Sequence, residues 1–236
     1  MTPLFSSTQN HHDVSWEQML PYESWGKQHA ISPLHNHHVG YSIVVTAKHN
    51  DTRVFIGYDV YHVDAGTTLV VDVHGAERLL VESDSKVMVM QSHRNVHGLT
   101  ALVVPAVTAY QVFYPFVIGE HPGAYVIYFV RVVIRQGQEH SLVFEHLPSN
   151  IMWHPLTSNS GDLYVGTSFE LPPGRYMIST VNNVPFGLSV YVINVDGCAY
   201  SYNVRAGASL VKLTSLTSQR TVVTFAFSLR LRLRDK

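Results

Sequence analysis

Apolar residues in this chain come in short runs, many alternating with polar ones, and turn-forming residues separate the runs. Tyr41-Ser42-Ile43-Val44-Val45-Thr46-Ala47 leads to His49-Asn50-Asp51, and Thr52-Arg53-Val54-Phe55-Ile56 resumes, which reads as a β-hairpin. Asp64-Ala65-Gly66 turns into a strand over 67–71, and Ser83-Asp84-Ser85 into one over 86–91. The second half repeats the style, with strands expected over 124–134, 142–144, 164–170, 176–180, 188–194 and 199–204. Residues 225–234 alternate with period two, which sets Arg230, Arg232 and Arg234 on the face opposite the apolar residues. No segment holds a helical period for three turns. Valine, tyrosine, phenylalanine and threonine, which suit a pleated surface, fill the runs. Many short strands without intervening helices predict an all-β, antiparallel fold.

The two halves read as copies. Leu20-Pro21 precedes Ser24-Trp25-Gly26, and Val104-Pro105 precedes Thr108-Ala109-Tyr110, a shift of 84 positions from Pro21 to Pro105. Gly66 and Gly174 each stand before a strand, at a larger shift of 108, which calls for a longer loop around 147–162. The expected architecture is two tandem, internally duplicated, jelly-roll-like β-sandwich units over 15–106 and 107–208, each of a common domain size. A disordered leader over 1–14 and a C-terminal strand or tail over 209–236 flank them. A β-propeller fragment is the alternative, since its blades also repeat short antiparallel strands.

Composition narrows the function. The 236 residues are 46% hydrophobic and 14% charged, with a formal net charge of -1. A core is easily filled, and no long-range field favours nucleic acid or an anionic membrane. The single cysteine, Cys198, excludes an intrachain disulfide and every multi-cysteine metal site. The longest apolar run is cut by Arg131, well short of a membrane helix. The start of the chain lacks a signal peptide, so a secreted protein would be expected to be represented here only in part.

Three stretches together resemble the IgGFc-binding protein N-terminal domain family. They are residues 15–28, containing Leu20, Pro21, Trp25 and Gly26; residues 44–66, ending at Gly66; and residues 185–202, opening Pro185-Phe186-Gly187 and holding Tyr191. The resemblance covers about 15–207, departs at Val192 where the family pattern has glycine, and stops before Ser209. It implies a non-catalytic module of large secreted proteins of mucus and matrix, partnered by extracellular proteins or glycoproteins.

Other candidates are weaker. Asn50-Asp51-Thr52 is the only N-x-S/T sequon, at an expected hairpin tip, and makes Asn50 the glycosylation candidate. The chain has 15 histidines, clustered at His11-His12 and His35-Asn36-His37-His38. His35 and His37 would share one face of a strand and could hold a metal, although a solvated loop explains them equally simply. Cys198 reads as a small core residue. There is no nucleophile elbow, phosphate loop or placed carboxylate pair. Trp16 and Trp25 read as structural, with Trp25 expected to be largely buried. No catalytic residue, metal or cofactor is therefore expected. The favoured function is an extracellular binding or adhesion module. The alternatives are a metal-binding β protein or metal-dependent enzyme using the histidine loop, and a self-assembling structural protein.

Overall fold

The computed structural model describes residues 4–5, 14–15, 21–33, 40–75, 77–95, 98–118, 126–145, 148–194 and 199–203. Leu20, Trp16, the clusters at His11-His12 and 35–38, Cys198, and the segment from Ser209 with Arg230, Arg232 and Arg234 lie outside them. The described chain is all-β. Its only helical pieces are four three-residue 3-10 turns.

Short strands β1 (Leu4–Phe5) and β2 (Val14–Ser15) pair with each other. The first half continues with β3 (Gly26–Ile31), β4 (Tyr41–Ala47), β5 (Thr52–Ile56), β6 (Asp59–Val63), β7 (Thr68–Val73), β8 (Leu79–Asn95) and β9 (Gly98–Val104). The second half has β10 (Phe113–Ile118), β11 (Val126–Arg135), β12 (Leu142–Val143), β13 (His154–Pro155), β14 (Tyr164–Glu170), β15 (Gly174–Thr180), β16 (Gly187–Asn194) and β17 (Ala199–Asn203).

Strand β8 organises the first half. It is 17 residues long, and its two parts serve different layers of one sheet. Residues 79–83 pair with β3 on one side and β5 on the other, and β6 extends that layer from β5. Residues 87–95 pair with β4 and β9, and β7 extends the second layer from β4. The sheet thus curls over itself. The strict alternation of β4, with Tyr41, Ile43, Val45 and Ala47 buried, points one face into the enclosed core. Ile31, Val54, Val81 and Val89 complete that core.

In the second half the same two layers are separate sheets, β10-β15-β12 and β13-β14-β11-β16-β17. Between them lie Tyr114, Phe116, Val130, Val132, Ile134, Ile178 and Phe186. The strand that is continuous as β8 is here divided into β15 and β16, with a 3-10 turn at Val181–Asn183 between them. Asn182 and Asn183 take positive φ there, a conformation asparagine tolerates best after glycine. Strands far apart in sequence flank β8 on both sides, so the sheets are not propeller blades built from consecutive strands.

The pairings of the two halves correspond register by register. Glu82 faces Gln28 and Phe55, while Ser179 faces Phe113 and Val143. Thr46 faces Thr68 and Met88, while Val133 faces Gly166 and Gly187. Gly26 faces Val87, while Gln111 faces Phe186. The 3-10 turns before β3 and β10 also match, with extended caps at Pro21 and Trp25 and at Ala106 and Tyr110. The shift between the halves is 85 positions at this turn (Trp25 to Tyr110), one more than the proline pairing Pro21–Pro105 gives. The glycine pairing is corrected: Gly66 precedes β7, whereas Gly174 opens β15, the counterpart of early β8. A glycine ahead of a strand is too generic a signal to fix register. The extra length falls between β12 and β14, which brackets the expected loop.

Candidate functional site

The most elaborate chemistry in the described chain lies where the halves meet. Phe129, Arg131 and Val133 alternate with the core residues Tyr128, Val130 and Val132 along β11, so they face away from their own core and toward the first half. Phe129 packs with Tyr191 and with Leu102 of β9. Val133 packs with Tyr110, Leu156, Ala30 and Leu80. Arg131 lies between these groups, only 5% exposed. Its Nη1 donates to Ser32 O at 2.6 Å and to Gln91 Oε1 at 2.9 Å, and its Nε donates to Ser189 Oγ at 2.9 Å. Gln91 Nε2 donates to the same Ser32 carbonyl. Every partner is neutral, and burial lowers the guanidinium pKa to about 10. A cavity of about 10 Å³ beside it, lined by Ala30, Tyr110, Gly187 and Ser189, has room for one water.

A second polar joint closes the rim. The loop before β14 lies along the start of β8, with Leu80 N donating to Thr157 O and Thr157 N to Arg78 O. The buried Glu82 carboxylate accepts from Ser158 Oγ and from the amides of Asn159 and Ser160 at 2.9 and 3.0 Å. Gln28 links Glu82 to Asp162.

A cleft of about 330 Å³ opens on this seam, near the lower size of small-molecule sites. Arg78 enters it from the first half, with Asn150, Met152, His154, Ser168 and Glu170 from the second. Partial burial and the Arg78 charge lower the His154 pKa. Burial lowers that of Arg78 as well.

The residues singled out from sequence fall on this frame in different ways. Pro21 caps the first 3-10 turn, where Ser24 N donates to Pro21 O and Trp25 N to Tyr22 O. Trp25 is only partly exposed. Its ring meets Tyr22 edge-on at 5.4 Å. Tyr22 in turn carries Lys48 Nζ 3.8 Å from its ring centroid and Lys86 Nζ at 5.8 Å, which makes a cation-π patch on the surface. Gly26 is needed for close approach, since a Cβ there would lie 2.2 Å from Ala106 Cβ. Gly66 has φ +75° and open space around it, so its requirement is conformational. Phe186 is fully buried, T-shaped to Tyr114 at 4.9 Å. Gly187 leaves room for the Tyr110 ring, whose Cζ would be 2.6 Å from an added Cβ. Tyr191 is at the seam, its phenol pushed up to about 12 by burial.

The hairpin expected over 41–56 is corrected: β4 and β5 do not pair with each other but lie on either side of β8, and Asn50 is exposed in the turn that joins them, its Oδ1 accepting from Ala65 N at 3.1 Å. Its Nδ2, the atom that carries an N-glycan, is not used in that bond. Thr52 of the sequon is buried and donates to His49 O. Among the described residues no group of three His, Cys, Asp or Glu could hold a metal.

Sequence reading missed Arg131, Gln91, Glu82 and Tyr110 as seam residues. Arg131 did leave a signal, one charge inside an apolar strand and out of phase with its core positions. Glu82 left none, because its amide partners are more than 70 positions away.

No curated protein and no solved structure matches this chain. A family model described as IgGFc binding protein matches residues 4–192. That span contains the first half, the second half as far as most of β16, and the seam between them, with Pro21, Trp25, Gly26, Gly66, Phe186, Gly187 and Tyr191 all inside it. The chain belongs to the IgGFc-binding protein family.

Proposed function

We propose that the chain is a non-catalytic binding module of an extracellular protein, acting in adhesion or in mucus or matrix assembly through contacts with proteins or glycoproteins. The observation that carries this reading is the family match across 4–192. The family's description names a protein partner; for this chain the partner is left open, and immunoglobulin is not assumed. The sequon at Asn50 supports a secreted setting, because the exposed turn between β4 and β5 is accessible to glycosylation. The Tyr22–Trp25 patch supports binding, since half-exposed aromatics beside cations suit contact with proteins or sugars.

The test is retention. The immobilised full chain is exposed to extracellular fluid beside an unrelated β-sandwich of equal charge. Saturable retention of a small set of proteins on the chain alone is expected. Equal retention on both surfaces sinks the reading.

A second reading comes from the cleft. Arg78 and His154 at its wall favour a small anionic ligand, a carboxylate or sulfated sugar. Such binding should strengthen as pH falls and His154 gains its proton. Titration calorimetry with heparin disaccharides at pH 5.5 and 7.5, on wild type and Arg78→Ala, decides it. Absent heats at both pH values remove it. The metal-binding alternative depends on His35 and His37, which lie outside the described residues.

A further inference from the structure

The seam inside this chain joins two different surfaces. The first half contributes the outer face of β3 and early β8, with Ala30 and Leu80. The second contributes its 3-10 turn and the outer face of its other layer, with Val107, Tyr110, Val133 and Tyr164. Because the strand registers of the halves correspond, each surface has a counterpart on the half that does not use it. Ala30 and Leu80, cross-strand partners on β3 and β8, correspond to Pro115 and Met177, cross-strand partners on β10 and β15. Tyr110 and Val133 correspond to Trp25 and Thr46.

Both counterparts reach the surface. On the second half, Met177 is 58% exposed, with Phe113 at 42%, Val143 at 48% and exposed Pro115 around it on the same face. On the first half, Tyr22, Trp25, Val44 and Thr46 are half-exposed, and Val70, opposite Val44, is 59% exposed. Clustered apolar side chains of this kind on a folded surface mark a contact site. The polar rim of the internal seam also changes sign of preference, since Gln28 and Glu82 are replaced by Phe113 and Ser179 at the corresponding positions. The open face is therefore drier than the one already buried.

We propose that a second copy of this chain docks head to tail, its Tyr22–Trp25–Thr46 surface on the Phe113–Pro115–Met177 face of the first, repeating the internal seam between molecules. The proposal rests on the binding-module reading and names one partner of that module. The joint is heterologous, so each addition leaves one surface of each kind free. Such a contact generates open chains unless its rotation happens to close a ring. An apolar joint also keeps its strength in salt, unlike one made of exposed ion pairs.

Sedimentation velocity of the full chain over a hundredfold concentration range tests this. Wild type should form a concentration-dependent series extending past the dimer, unchanged between 0.1 and 1 M sodium chloride. Met177→Lys and Tyr22→Asp should each weaken association at least tenfold while melting within a few degrees of wild type. An equimolar mixture of the two should form dimers and stop, because one variant keeps the intact head and the other the intact tail. A wild type that stays monomeric throughout overturns the proposal. So does association that survives both substitutions, or a mixture no more associated than its components. A monomer that still retains a partner from extracellular fluid would leave the binding-module reading standing and remove this one; self-association with nothing retained would do the reverse.

Discussion

At the scale of single residues, glycines and one histidine carry the sharpest consequences. Gly187 and Gly66 are both glycines of the family resemblance, yet for different reasons. Gly187→Ala puts a methyl into the Tyr110 ring at 2.6 Å. That ring is locked into the seam, so overpacking should cost about 1–3 kcal/mol. Gly66→Ala meets no atom within 4 Å and should cost only the strain of φ +75°, about 1 kcal/mol. Urea denaturation of both variants checks the ranking, and a Gly66 variant less stable than the Gly187 variant would reverse the explanation. His29 gives a pH dependence. It is fully buried among the carbonyls of Val104, Gly26 and Val87, at 3.0 to 3.3 Å. Burial lowers its pKa below 6.5, and the carbonyls offset this only in part. The unfolded chain therefore takes up a proton near pH 6.5 that the fold refuses. Stability contributed by the neutral ring is present above that pH and is lost as pH falls below it. Melting temperature should drop between pH 7.5 and 5, and His29→Gln should flatten part of that slope. An unchanged slope in the variant would place the acid sensitivity elsewhere.

At the scale of elements, periodicity located strands and missed what joins them. The boundaries of β4 and β5 are legible in sequence because each alternates cleanly against one core. β8 was not legible as one strand. Ser83-Asp84-Ser85 has turn composition, yet the chain passes through it extended as it moves from one layer to the other. Ser83 Oγ donates to Ser85 O, and Asp84 pairs with Arg53, so these polar residues serve a bend within a strand. The Trp25 motif was legible as a turn, which the 3-10 turn at Tyr22–Ser24 bears out. The loop before β14 was legible only as extra length. Its function emerges from Glu82, whose carboxylate replaces water for two loop amides. Glu82→Ala leaves those amides without their acceptor, at a cost of roughly 1–3 kcal/mol. Hydrogen exchange at Asn159 and Ser160 should accelerate to near the rate of an open loop, while the amides of β11 stay protected. Equal acceleration in both segments would show that Glu82 acts on global stability and not on the loop.

At the scale of the whole molecule, the correspondence of pairings supports the proposal that the halves are duplicated copies, and the seam couples their unfolding. Leu80 illustrates the coupling. It is fully buried, but its side chain points away from the first core and packs instead on Tyr110, Val133 and Leu156 of the second half. The same β8 carries Val81 into the first core at the next position. Loss of the seam would thus expose apolar surface on both sides at once, together with the Arg131 guanidinium and its uncharged partners. Wild type should unfold in one calorimetric transition whose measured enthalpy equals the van't Hoff value. Leu80→Ala should keep that single transition and lose about 2–5 kcal/mol, the range for emptying a buried leucine site. Leu80→Asp puts a carboxylate among Tyr110, Val133 and Leu156 and should part the halves, giving two transitions, each with its own enthalpy. Two transitions already present in wild type would mean that each sandwich is stable by itself, and that the Arg131–Gln91–Ser32 network merely orients the halves.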